Sequence, residues 1–378
     1  MVRQALPSMF IGCGSAGNAP CCPPMGQAPM RCDRRQLLGM VAGALGSAAL
    51  AARTTPQAAT AAPFLPSPSG ERLRLGLISD LNSSYGSTTY IPAVHQGLGH
   101  LLALHPALVV CAGDMVAGQK RGLSTAQLER MWDGFARDVL QPVRRQGVPF
   151  LPTIGNHDGA PGFLDDRIVA ARFWQARKQG LGLQFVDSSG FPFHYSALQD
   201  NVFWLVWDAS SSRIPSAELT WARHQLNSPQ ARNAGLRLVV GHLPLFGLSQ
   251  GRDRPGEVLH QAAAIQTLLE QGNAQAYISG HQHAWYPARR GHLDLIQLGA
   301  LGSGPRRLIS GNLPAQHSFT TLDVDWTAGT LRETSYGAAS GRRLRWSTLP
   351  AQLRGHRGVL KRNQAERRIT TQPRQPSS

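Results

Sequence analysis

Apolar residues along this chain fall into short bounded runs, and the longest of them end on polar residues. Leu73 to Ser79, Ala107 to Ala112, Val148 to Ile154, Leu236 to Val240 and Ala276 to Ser279 read as nearly continuous hydrophobic stretches, which predict buried strands. Between them, Pro92 to His105, Thr125 to Gln146, Leu164 to Lys178, Ala217 to Asn227 and Glu257 to Gln271 carry apolar residues at helical spacing. Phe193 to Tyr195, Val202 to Trp207, His292 to Gly299 and Phe319 to Val324 predict further strands. Strands that alternate with helices make this a layered α/β chain with no internal repeat.

The residues at the carboxyl ends of the apolar runs carry the chemistry. In chain order the runs lead into Asp80-Leu81-Asn82, Gly113-Asp114, Gly155-Asn156-His157-Asp158, Gly241-His242 and Gly280-His281-Gln282-His283. One such block is an ordinary polar loop start. Five in order, each offering a hard or borderline ligand at the carboxyl end of a strand, place Asp, Asn and His where open α/β sheets bind their ligands, and predict a metal site. His95, His100 and His105 recur every five residues, which is not the spacing of a helical metal pair, so they are read as surface positions.

The series resembles the calcineurin-like metallophosphoesterase superfamily, whose pattern is Asp-x-His, Gly-Asp, Gly-Asn-His-Asp/Glu, Gly-His and Gly-His-x-His. The resemblance spans about Leu73 to Trp326 and implies a four-layer α/β/β/α sandwich that hydrolyses phosphomonoesters or phosphodiesters with two metal ions. By resemblance, Asp114 bridges both ions, Asp80 and His283 complete the first site, and Asn156, His242 and His281 form the second. The ions can be divalent or trivalent: manganese, iron, zinc, magnesium and calcium all remain open. His157 would lie just outside the ligand shell as general acid. Asp158 is either the carboxylate that orients it or a turn cap. Asn82 stands where the family usually has a histidine ligand, so the first site either takes an amide oxygen or leaves the position to water. The purple acid phosphatase branch also lacks that histidine but supplies a tyrosine three residues after the Gly-Asp aspartate; here that position is Ala117. A noncatalytic metal-bound scaffold with a basic tail docking an anionic partner is the competing reading.

Composition divides the chain. Residues 1–52 read as a leader containing Arg34-Arg35, the apolar run Gly39 to Ala52 and a small-residue cleavage site at Ala49-Leu50-Ala51, which resembles a twin-arginine export signal, with Met30 as the expected start. The run is too short for a comfortable membrane span. The expected route is through the twin-arginine machinery to a periplasmic or secreted destination. Residues 53–70 form a Pro/Ala/Thr/Ser linker, 71–341 the catalytic domain and 342–378 a basic tail. Four of the five cysteines precede the cleavage site, which leaves Cys111 without an intramolecular partner. The net charge of +16 invites a nucleic-acid reading, but Arg342 to Ser378 holds ten Lys/Arg against the single acid Glu366. The charge is thus mainly a property of a tail whose composition predicts disorder and dispensability, and specific nucleic-acid binding is not expected. The polar loop Asn82 to Tyr90 is placed at the site mouth, while Arg289, Arg290, Arg306 and Arg307 are assigned no role.

Overall fold

The computed structural model describes residues 71–369. The leader, the linker to Gly70 and the last nine residues, with the export signal read there, lie outside the described residues. The strands are β1 (Arg72–Ile78), β2 (Leu108–Cys111), β3 (Phe150–Pro152), β4 (Phe185–Gly190), β5 (His194–Gln199), β6 (Val202–Val206), β7 (Leu236–Val240) and β8 (Ala276–Ser279). They continue as β9 (Tyr286–Arg290), β10 (Leu293–Gln297), β11 (Ser318–Asp325), β12 (Thr330–Gly337), β13 (Gln352–Gly355), β14 (Gly358–Arg362) and β15 (Glu366–Arg368). One six-stranded sheet runs β15-β12-β11-β1-β2-β3, and one nine-stranded sheet runs β13-β14-β9-β10-β8-β7-β6-β5-β4. Helices flank the two sheets, as the α/β/β/α sandwich requires.

The layering follows from the two-residue period of a strand, which sends alternate side chains to opposite faces. Along β6, Val202, Trp204 and Val206 enter the core shared with the first sheet, whereas Phe203 and Leu205 enter a second core. Strand β8 divides in the same way, with Ala276 and Ile278 facing one core and Tyr277 the other. Both faces are therefore buried, which is why these segments read as continuous apolar runs instead of alternating ones. The second core is closed by helices Ser216–Leu226 and Ala262–Gln271 through Ala222, Leu226, Ile265 and Leu269.

Helix boundaries depart from the periodicity where backbone groups find other partners. The long helix predicted from Thr125 starts on a capping box, with Ser124 Oγ accepting from Gln127 N at 3.3 Å and Gln127 Oε1 accepting from Ser124 N at 2.8 Å. It then passes through a π turn at Ala136–Leu140 just before Pro142, which has no N–H to continue an α ladder. The helix predicted from Glu257 begins only at Ala262. Leu259 N instead donates to Pro244 O and His260 N to Ser212 O, so residues 257–261 are held as a loop. No helix among the described residues is long and apolar enough to cross a membrane.

The largest correction concerns the tail. Residues 342–369, expected to be disordered, are folded into both sheets: β13 and β14 extend the second sheet beyond β9, and β15 pairs with β12. Few apolar residues suffice because they are well placed: Leu353 and Leu360 are buried in the second core. Arg367 is buried too, paired through Nε with Asp294 and through Nη2 with Glu333 at 3.4 Å. The folded domain thus reaches Ile369 and does not stop at Gly341. Deleting residues 351–378 would leave Asp294 and Glu333 buried without their cation, a loss of about 3–5 kcal/mol for a broken buried pair before any lost packing. We expect this truncation to lower the thermal midpoint by roughly 10 °C or more; an unchanged melting curve would show the segment to be an appendage.

Candidate metal centre

Parallel pairing aligns the ligand loops. Ile78 lies opposite Cys111 and Cys111 opposite Pro152 in the first sheet, and Val240 lies opposite Ile278 in the second. The polar blocks after these residues therefore leave their sheets at one level, on the edge where the two sheets meet. Backbone bonds stitch the blocks together: Asp80 N donates to Gly113 O at 3.0 Å, Leu81 N to Asp114 O at 2.8 Å, and Gly280 N to His242 O at 3.1 Å. Asp80, Asp114, His281 and His283 all adopt positive φ, between 54° and 67°. Each such non-glycine residue costs on the order of 1–3 kcal/mol, so four at one place mark a backbone bent to aim side chains. Gly113 allows the crowding, since a Cβ there would stand 2.6 Å from His242 Nδ1.

The side chains converge as two adjoining groups. In the first, Asp80 Oδ1 lies 3.1 Å from His283 Nε2. In the second, Asp114 Oδ2 lies 3.2 Å from His242 Nε2, and Asn156 Oδ1 lies 3.0 Å from both His242 Nε2 and His281 Nδ1. His242 joins them, because its Nε2 is also 4.0 Å from Asp80 Oδ1. Donor atoms of Asp114, His242 and His281 all fall within 4.8 Å of one another, and all three residues are buried. The rings are fixed from behind: His242 Nδ1 is 2.7 Å from Ala112 O, His283 Nδ1 is 2.8 Å from Gly304 O, and His281 Nε2 is 2.9 Å from Glu257 Oε2. Such outer partners set the tautomer of a metal-binding imidazole.

Electrostatics fit a cation here. Burial opposes charge on Asp80, but His283 and His242 outweigh it and bring its pKa down to about 2; Asp114, with His242 and His157 beside it, is lowered further. Burial likewise opposes charge on His242, yet Asp114 and Asp80 lift it to about 9. Two wholly buried carboxylates thus recruit positive charge from their surroundings, and a metal ion would meet that demand. His281 is pushed down to about 4 by burial, against the pull of Glu257, and keeps an imidazole lone pair for coordination.

His157 sits at the rim, with Nδ1 3.1 Å from Gly118 O, Nε2 4.0 Å from Asp114 Oδ2, and its backbone N–H donating to Asp114 Oδ1 at 2.9 Å. Asp158 does not orient it. Its Oδ1 accepts from Met115 N and Val116 N at 2.8 and 2.9 Å and its Oδ2 from Gly155 N at 2.8 Å, so it braces the two loops that carry Asp114 and Asn156. The catalytic assignment of Asp158 is therefore withdrawn in favour of the turn cap. Asn82 is held by Ser303: its side-chain oxygen accepts from Ser303 Oγ, and Ser303 adjoins the Gly304 carbonyl that holds His283. Tyr90 is occupied with Met115 O at 2.6 Å, and Tyr85 packs on His157 with ring centroids 5.2 Å apart.

A sequence profile described as Calcineurin-like phosphoesterase matches residues 73–285, more than half of the chain and all five ligand blocks. The chain belongs to the calcineurin-like phosphoesterase family. Among solved structures, this phosphoesterase is similar to a purple acid phosphatase from yellow lupin (Lupinus luteus) seeds, with TM-score 0.56 and 12% identity over 72% of this chain and 52% of that one. A phosphoesterase from E. coli is 15% identical over 72% of this chain and 97% of that one, with TM-score 0.33. The chain spans about half the length of the lupin protein, and the likeness is one of fold. No curated protein matches the sequence.

Three residues of this family member's site were not legible in the sequence: Glu257 behind His281, Gln119, whose Oε1 accepts from Asn156 Nδ2 at 2.6 Å, and Ser303 on Asn82. Each lies far along the chain from the residue it positions and belongs to no motif. Glu257→Gln keeps the shape at His281 and removes the charge. We expect about 10–100-fold weaker metal binding by titration of the metal-free protein, as for other outer partners; unchanged affinity would make the Glu257 contact incidental.

Proposed function

We propose that this chain is a metal-dependent phosphoesterase that hydrolyses phosphomonoesters or phosphodiesters using a pair of metal ions. The observation that carries the reading is the convergence of Asp80, Asp114, Asn156, His242, His281 and His283 on one buried point, with four of the six in a left-handed backbone. Asp80 and His283 would hold one ion, Asn156, His242 and His281 the other, with Asp114 between them. When bound, such ions neutralise the phosphate oxygens and make water nucleophilic near neutral pH.

The chain's own groups account for the rest. Asn156 and Gln119 keep the amide oxygen turned toward the histidines, because Gln119 engages the amide nitrogen. Carbonyl Gly118 O accepts from His157 Nδ1–H, which leaves Nε2 directed toward the centre, where it can hold a proton for the departing ester oxygen. The hydrophobic sheet ends beneath the ligands exclude water from below and leave approach from the loop side. The alternative, a noncatalytic scaffold whose basic tail docks an anionic partner, would have to present that tail from the sheets, since residues 342–369 are folded into them. Export by the twin-arginine route to the periplasm or medium remains part of the proposal, supported by Arg34-Arg35 and the apolar run behind it.

Two measurements test the reading. Chelated protein should lose hydrolysis of aryl and alkyl phosphates and recover it with divalent metal, and a metal-loaded protein inactive on every monoester and diester would overturn it. His157→Asn should slow an alkyl phosphate by roughly 10²–10⁴-fold while slowing p-nitrophenyl phosphate far less, since an acidic phenol departs without a proton. Equal losses on both esters would remove His157 as the proton donor.

A further inference from the structure

Beside the metal centre lies a cavity of about 90 Å³ that the proposed reaction does not use. His283 forms part of its wall, which sets the cavity next to the residues proposed to hold the first ion. Leu308, Leu313, Pro314 and Leu344 make one side apolar, while Arg306 and Arg345 contribute two guanidinium groups. No aspartate or glutamate lines it.

Those arginines lack anionic partners. Neither forms an ion pair among the described residues, and Nε of Arg306 is buried without a hydrogen-bond partner, its Nη1 reaching only Gln250 O at 3.3 Å. A buried donor left unpaired is destabilising, more so on a charged group, which gives an acceptor from outside something to satisfy. Burial depresses the Arg306 pKa, and Arg252 and Arg254 nearby add to this against the opposing pull of Glu257. Glu257, the adjacent carboxylate, is already held by His281 at 2.9 Å and Arg254 at 3.1 Å and stands 3.9 Å from Arg252. The pocket therefore carries two guanidinium groups beside an apolar wall, with no carboxylate in its own lining. Arg306 is placed there by its backbone N–H, which donates to His283 O at 3.0 Å, and Arg345 by the folded tail.

We propose that this cavity is a specificity subsite for a second anionic group, so that the substrate is a short phosphoester carrying a carboxylate or a further phosphate on the portion released. The inference rests on the metal centre being a phosphoesterase site. An arginine fork matches either anion, and the apolar wall suits the short carbon chain that links it to the scissile ester.

The test uses the full chain loaded with metal and a series of alkyl phosphates two to four carbons long, each ending in a carboxylate, its primary amide or a second phosphate. Wild type should prefer at least one anionic member over the matched amide by tenfold or more in kcat/KM, and the favoured anion identifies the source. Arg306→Gln and Arg345→Glu should each cut that preference at least fivefold. Arg345 is exposed, so its variant reports on the subsite even where Arg306→Gln misfolds. Equal rates on acids and amides at every length, or a preference that survives both substitutions, would overturn the subsite and leave the phosphoesterase reading standing. If no ester is hydrolysed, calorimetric titration with the same compounds decides: binding of the anionic members that is lost in Arg345→Glu keeps the subsite while the hydrolytic reading fails, and absence of that binding overturns it.

Discussion

Two carboxylates, Asp80 and Asp114, are buried almost completely at the seam between two sheets, and most of the local structure answers the cost of putting them there. An isolated ionised carboxylate does not survive such burial unless it is paired and hydrogen-bonded. The backbone N–H groups of His281 and His157 donate to these side chains, and from the opposite sheet His242, its pKa raised by both carboxylates, and His283 lie against them. The left-handed turns at Asp80, Asp114, His281 and His283 are the conformational cost of the arrangement. Parallel strand pairing makes it attainable, because strands in register deliver their loops to one edge.

The folded tail extends this logic outward. Arg367 binds Glu333, whose other oxygen accepts from Trp285 Nε1 at 2.9 Å, and Trp285 lies two residues after His283. A segment rich in positive charge is thus tied to a loop of the metal centre through one buried ion pair and one indole. The same segment brings Arg345 to the cavity beside His283. Its basic residues partly neutralise buried acids and partly face a pocket, which accounts for a strongly charged segment that is also ordered.

The outer contacts divide the site's residues by kind of work. Asp158 shows this most clearly. Burial, with Asp114 next, raises its pKa to about 7, yet three backbone N–H groups converge on it and none of its contacts reaches the His157 ring. Adjacency in sequence to His157 gave it a catalytic look, while the geometry gives it the task of holding two loops together. Glu257, which no motif marks, does for His281 what Asp158 was expected to do for His157.

By itself the sequence determined the α/β class, the strands that end on polar Asp, Asn and His blocks, and the family, whose resemblance implied the grouping of Asp80, Asp114, Asn156, His242, His281 and His283. All of these rest on local signals: a buried strand needs an unbroken apolar run, and a ligand loop needs Gly, Asp, Asn or His immediately after it. Only the tertiary structure decided the fate of the tail, the start of the helix at Ala262, the engagement of Asn82 with Ser303, and the company kept by Glu257, Gln119 and Arg306. Those are contacts between residues tens to hundreds of positions apart. A charge that looks solvated in sequence can be neutralised by a partner from another strand, and composition carries no information about where that partner lies.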